Sequence, residues 1–130
     1  MGVAYVDTSA LGRVLLGEPD APAILSALAD HDRHVSSRLL RVELRRVALR
    51  EDRLANADSL LNGVALVPVS AEILADAETI APATVATLDA IHLATAQRLR
   101  ALGQLDVVVT YDRQLARGAK HHGIPVLAPV

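Results

Sequence analysis

Four acids in this 130-residue chain stand where chemistry could be built: Asp7, Glu43, Asp89 and Asp112. Asp7 follows the apolar run Val3-Ala4-Tyr5-Val6, and Asp112 comes just after Val107-Val108-Val109-Thr110. Both runs read as buried strands, and a helical pattern follows each acid. Ligands of open α/β sheets bind at the carboxyl ends of the strands. If these two strands are neighbours, their ends lie about 5 Å apart. Glu43 falls on the seam of a helix, between an apolar stripe (Leu40, Leu44, Val47) and an outer face of Arg38, Arg41, Arg45 and Arg46. Asp89 opens a long helix rich in alanine, which places it near the margin of the core.

Carboxylates gathered around one cleft repel one another, and some protonate unless a cation compensates. Hard oxygen donors with no His or Cys cluster favour Mg²⁺ or Mn²⁺ over zinc. Such a site keeps places for water and phosphate and suits metal-assisted hydrolysis. On this reading Asp7 and Asp89 hold the ion, while Glu43 and Asp112 complete the charge or position the attacking water. Each acid also has a plainer explanation. Asp112 caps a helix, Asp89 favours a positive helix end, and Glu43 pairs with Arg46 or Arg50 along its helix. Asp7 has least structural duty, since Thr8 and Ser9 beside it are themselves capping residues.

The elements that must position these acids alternate in type. Strands are expected at 3–6, 34–36, 64–69, 105–110 and 123–127, and Pro68 marks the third as an edge or a strand end. Helices are expected at about 10–17 (capped by Thr8 or Ser9), 21–29 (Asp20), 37–50, 51–61, 71–80 (Ser70), 88–102 (Thr87) and 113–121 (Asp112). Alternating strands and helices argue for parallel strands joined by right-handed crossovers. The expectation is one domain over residues 1–130, an α/β/α sandwich around a parallel sheet of four to five strands.

Composition narrows the function classes. Tyr5 and Tyr111 are the only aromatic residues, too few for binding single strands mainly by stacking bases on rings. The chain has no cysteine, which excludes disulfides and Cys-based zinc sites. A net charge of −2 gives no global basic field, so any attraction for nucleic acid is local. The Arg38, Arg41, Arg45 stripe is a candidate contact for RNA phosphates, and equally a solvated face or a surface for an acidic partner segment. No apolar run reaches membrane-spanning length and no basic leader precedes the first strand, so a cytoplasmic protein is expected. His92, one turn after Asp89, reads as a packed, hydrogen-bonded histidine and not as a ligand. His121-His122 suits a helix C-terminus.

Four segments carry a family likeness: YVDTSAL (Tyr5 to Leu11), SRLLRVEL (Ser37 to Leu44), TLDAIHLATA (Thr87 to Ala96) and VVTYDRQLA (Val108 to Ala116). In this order and spacing they resemble PIN-domain proteins, specifically VapC-type toxin ribonucleases of type II toxin–antitoxin pairs. The resemblance covers essentially the whole chain. It implies an acidic pocket at the strand ends, metal-binding acids at Asp7, Glu43, Asp89 and Asp112, and supporting hydroxyls at Ser9 and Thr110. It further implies Mg²⁺- or Mn²⁺-dependent cleavage of RNA phosphodiesters, a homodimer, and inhibition by a cognate antitoxin covering the pocket. Arg13 departs from the pattern, because many relatives carry lysine there.

Rival readings remain at this level. A phosphatase of the haloacid dehalogenase type also places an Asp after its first strand, but needs a second Asp where Ser9 stands. A phospho-receiver domain needs a lysine ending a late strand, whereas Lys120 lies in a helix. A catalytically weak PIN fold serving RNA processing or protein interaction keeps the architecture and loses the chemistry.

Overall fold

A computed structural model of the chain describes residues 2–130. Its sheet is built around β1 (Val3–Val6), whose alternate side chains enter different layers. Ala4 and Val6 join Val107 and Val109 in one core. Tyr5 joins Val108 and Val35 in the other. Both faces are therefore covered, which is why this strand tolerates almost no polar residue.

The chain continues through α1 (Thr8–Leu15), α2 (Ala21–Ala29), β2 (Arg33–Ser37), α3 (Arg38–Arg50), α4 (Leu54–Leu61) and β3 (Ala65–Val67). It ends with α5 (Ala71–Ala77), α6 (Thr87–Ala101), β4 (Val107–Val109), α7 (Arg113–His121) and β5 (Val126–Leu127). The strands lie in the order β3-β2-β1-β4-β5, every pairing parallel. Helices α1 to α4 cover one face through Leu11, Ile24, Leu40, Leu44 and Leu61. Helices α6 and α7 cover the other through Leu93, Ala96, Leu115 and Ala119. The expected α/β/α sandwich is the observed one, with five strands among the described residues. Each fully buried leucine contributes about 1.5–3 kcal/mol, so α3, with Leu40 and Leu44 at 0% exposure, is firmly seated.

Strand order decides where the site falls. From β1 the chain steps outward to β2 and β3, then returns to place β4 on the other side of β1. The crevice between β1 and β4 is the topological switch point of the sheet, the usual ligand position in this architecture.

Several local expectations are corrected. Asp7, not Thr8 or Ser9, caps α1: its backbone is extended and its carboxylate accepts from the Ala10 N–H. Asp20 precedes α2 without a side-chain cap, because its carboxylate is drawn to Arg13 instead. Ala86 occupies the cap position of α6, and Thr87 is the first helical residue. Helix α4 starts at Leu54, since Asp52 turns the chain with φ +55°. Helix α5 stops at Ala77. On α3, Ala48 completes the buried stripe and Val47 is only half-buried. Ser70 and Asp112 do cap α5 and α7 as expected, while Ser37, expected as the first residue of α3, caps it instead.

Candidate active site

The register Val6↔Val109 brings the ends of β1 and β4 together, so Asp7 and Thr110 emerge side by side. Asp7 is 3% exposed. Its Oδ1 accepts from the Ser9 hydroxyl at 2.8 Å and the Ala10 N–H at 3.3 Å. Ser9 Oγ lies 3.2 Å from Thr110 Oγ1 and accepts the Tyr111 N–H at 2.8 Å, while Thr110 Oγ1 accepts the Asp112 N–H at 3.0 Å. The two hydroxyls thus latch the β1–α1 turn to the β4–α7 turn and hold Asp7 and Asp112 in one frame.

Asp112 spends one oxygen on its own helix, accepting from the Gln114 and Leu115 N–H groups at 2.8 and 3.0 Å. Asp89, in the first turn of α6, meets Asp112 across the hollow. Burial, the charge of Asp112 with a hydrogen bond to it, and the charge of Asp7 push Asp89 up to about 6. Burial likewise raises Asp7, against the hydrogen bond from Ser9, the His92 charge and the Thr110 contact. These acids share one electrostatic enclosure.

Glu43 reaches the same hollow from α3 and feels the charge of Asp112. Its Oε1 accepts from Thr8 Oγ1 at 2.7 Å and from His92 Nε2 at 2.7 Å. Burial works upward on Glu43, but these hydrogen bonds and the His92 charge hold it below the usual carboxylate range. The pairing with Arg46 or Arg50 weighed from helical spacing is replaced by these two contacts. His92 is 2% exposed and its Nδ1 lies 2.6 Å from the Tyr5 hydroxyl. It is the packed, hydrogen-bonded histidine expected, with Glu43 as a partner that local spacing did not reveal.

Among the described residues, no group of three or more His, Asp or Glu side chains is placed so that it could hold a metal ion. The donors nonetheless fit a magnesium-like ion, which is commonly held by one or two carboxylates with water and phosphate completing the shell. Asp7, Asp89 and Asp112 offer hard oxygens whose mutual repulsion a cation would relieve. Glu43 has only Oε2 to give, since Oε1 already accepts twice.

The arginines sort into two groups. Arg45 is paired with Asp58 of α4, Arg38 is exposed and Arg41 half-buried. Sequence reading overlooked a second basic face. Arg113, Arg117 and Lys120 recur at i, i+4 and i+7 on α7 and line one groove. Arg113 and Lys120 also border a depression of about 420 Å³ that reaches Thr110, Asp112 and Arg13. The signal was present in the sequence, since α7 begins at the residue after Asp112. Arg13 bonds Asp20 at 2.9 Å and lies 4.1 Å over the Tyr111 ring. A separate cavity of about 630 Å³, lined by Leu74, Ile80, Val85 and Ile91, contains none of the four acids. No helix among the described residues is long and apolar enough to cross a membrane.

A parallel sheet with an acidic hollow at its switch point defines a class of fold and site, and comparison with known proteins gives that class a family. The PIN domain model matches residues 4–121. The chain is 37% identical to Ribonuclease VapC46 of Mycobacterium tuberculosis strain H37Rv over 99% of each chain. It is 36% identical to Ribonuclease VapC47 of strain CDC 1551 over 96% of each. Its fold is similar to a chain of a toxin-antitoxin complex from Klebsiella pneumoniae, with TM-score 0.74, 23% identity and 98% of both chains covered. It is also similar to M. tuberculosis VapC20, with TM-score 0.70, 17% identity, and 88% and 93% covered. The chain belongs to the PIN-domain family, in its VapC-type branch.

Proposed function

We propose that this protein is a Mg²⁺- or Mn²⁺-dependent endoribonuclease, the toxin of a type II toxin–antitoxin pair. The observation that carries the reading is the enclosure of Asp7, Asp89 and Asp112 at the β1–β4 crevice, where burial and the charges of Asp112 and Asp7 push Asp89 up to about 6. Relatives named ribonucleases, aligned over nearly the full chain, support the substrate class.

The residues divide the work. Asp7 and Asp89 would hold the divalent ion, and Asp112 would complete the negative set. Bound there, such an ion supplies charge against the phosphate and lowers the pKa of a water. Glu43 orients the attacking water and takes its proton through Oε2. Water adds across the phosphodiester, one ester oxygen leaving as a hydroxyl. Ser9 and Thr110 keep Asp7 and Asp112 in place. Backbone phosphates of the RNA lie along Arg113, Arg117 and Lys120, with Arg38 and Arg41 as contacts on the opposite layer; Arg45 contributes less, being paired.

An antitoxin segment covering the acidic hollow silences the protein, a reading supported by the fold's likeness to a chain of a toxin-antitoxin complex. A cytoplasmic homodimer completes the proposal, with exposed Leu25, Val42 and Leu49 on α2 and α3 as apolar surface for a second copy.

The test is cleavage of a structured RNA by the purified protein with Mn²⁺. Cleavage is expected with Mn²⁺ and its loss is expected with excess chelator. Undiminished cleavage in chelator would sink the metal mechanism, and no cleavage of any RNA would sink the enzyme.

A further inference from the structure

We propose that Tyr5 and His92 are positioning residues that aim Glu43 into the site, an inference that rests on the proposed nuclease reading. Three contacts, two of them buried and the last half-buried, form a line from the sheet to the hollow. The Ser37 N–H donates to the Tyr5 hydroxyl at 3.2 Å, the Tyr5 hydroxyl meets His92 Nδ1 at 2.6 Å, and His92 Nε2 meets Glu43 Oε1 at 2.7 Å. Tyr5 and His92 are 0% and 2% exposed, so no water competes for these groups.

Protons follow from the partners. Tyr5 is fully buried, so its phenol keeps its hydrogen. Glu43 Oε1 is an acceptor, as its hydrogen bond from Thr8 Oγ1 shows, and the proton between it and the imidazole therefore resides on Nε2. This holds whichever way the Tyr5 hydroxyl points. The contact at Nδ1 fixes the rotation of the ring, and the ring at Nε2 fixes one carboxylate oxygen. Thr8 fixes the same oxygen from α1. Glu43 is thereby left with one rotamer and one free oxygen, Oε2, for water or cation. Partners one step removed from a working carboxylate change activity by about 10- to 100-fold when lost.

Tyr5 carries the one polar side-chain group in an otherwise apolar strand. Its hydroxyl and the imidazole are polar groups placed in a core, a costly choice unless they are hydrogen-bonded. Here the bonds run from the Ser37 N–H at the start of α3 to Glu43.

The experiment compares Tyr5→Phe, His92→Phe and His92→Gln, each alone and combined with Glu43→Gln, for RNA cleavage with Mn²⁺. His92→Phe is expected to lower kcat about tenfold with KM within about twofold. His92→Gln, whose amide nitrogen falls near the Nε2 position and can donate to Glu43, is expected to recover most of that loss. Tyr5→Phe keeps the packing and is expected to give a smaller loss of kcat. In the Glu43→Gln background all three losses should vanish, because the residues act through Glu43. Losses of equal size in both backgrounds would mark a packing role and overturn the proposal, as would wild-type rates in Tyr5→Phe and His92→Phe. If His92→Phe fails to fold, Tyr5→Phe and His92→Gln decide.

A second readout needs neither metal nor RNA. In nitrogen-15 spectra of the metal-free protein, His92 should show a protonated, slowly exchanging Nε2–H that loses its protection in Tyr5→Phe. A ring protonated at Nδ1 alone would overturn the proposal. A wild type that shows this proton but cleaves no RNA would sink the nuclease reading and leave the positioning of Glu43 standing.

Discussion

Val6 and Val109 are register partners across adjacent parallel strands, and the Asp7 N–H donates to the Val109 carbonyl at 3.3 Å. That one rung sets the distance between the two turns that end in Asp7 and Asp112. The frame of the candidate site is thus an extension of sheet geometry. Ser9 and Thr110, 3.2 Å apart, close the frame one residue further on.

Asp7→Asn should separate function from stability. Asparagine keeps an oxygen that accepts from Ser9 and Ala10, so the α1 cap survives. Cleavage should fall about a hundredfold or more, as when a single charge-stabilising group is removed from an active site. Burial raises Asp7 in the folded state above its unfolded value, so the folded chain holds that proton more tightly. The charged carboxylate therefore destabilises the fold at neutral pH, and the penalty fades as pH falls into the ordinary carboxylate range. Melting curves should show Asp7→Asn above the wild type at pH 7.5 and level with it near pH 4. A lower Tm at both pH values would refute this account of Asp7.

Protons and divalent ions should compete at Asp89. With its carboxyl pushed up to about 6, Asp89 is mostly protonated at pH 5 and mostly charged at pH 7.5. Mn²⁺ affinity should therefore rise across that interval. A ligand that binds only the folded state stabilises it, so Mn²⁺ should raise Tm at pH 7.5 and do little at pH 5. Calorimetric titration at both pH values checks this. An affinity independent of pH would remove Asp89 from the ion site.

The basic face of α7 predicts a salt dependence. Replacing Arg113, Arg117 and Lys120 together by glutamine should weaken binding of single-stranded RNA to the Asp7→Asn protein. It should also flatten the slope of log affinity against log salt by about two, near 0.7 for each lost phosphate contact. Fluorescence anisotropy across a salt series reads both. An unchanged slope would leave α7 out of the RNA path, and weakened binding of an acidic peptide with RNA affinity intact would make it a protein-docking face.

Arg13 offers a stability test. Its planar guanidinium bonds Asp20 and lies over Tyr111 at the same time, two contacts that lysine cannot make with the same geometry. Arg13→Lys should cost about 0.5–1 kcal/mol in denaturant titrations, the usual range for an exposed cation–π contact. This contact gives a physical reason for arginine at this position. A neutral or stabilising result would show that the ring contact contributes nothing.

Much of this was legible from the chain because the signals are local. An apolar run ending in a carboxylate, a serine before a helical pattern and a glycine after one are decided within a few residues. So Asp7, Glu43, Asp89 and Asp112 could be singled out, and the layers of the sandwich anticipated. Local competition between neighbours was harder to read. Asp7, Thr8 and Ser9 are all capping residues, and only the turn geometry gives the cap to Asp7. Asp20 could cap α2 or pair with Arg13, and the pairing won.

The order of the strands and the partners of buried polar groups lay beyond such reading. Tyr5 and His92 are 87 positions apart, and His92 and Glu43 are 49 apart. Viewed singly, Tyr5 is a strand residue and His92 a polar interruption in an alanine-rich helix. The primary structure determined which residues would be buried and which acids would end strands, because side-chain hydrophobicity and backbone preference act over a few positions. Tertiary packing alone decided that β4 would insert beside β1, and so which carboxylates share charge and which oxygen of Glu43 is already taken. Those outcomes depend on contacts between distant segments, and such contacts exist only once the sheet has closed its order.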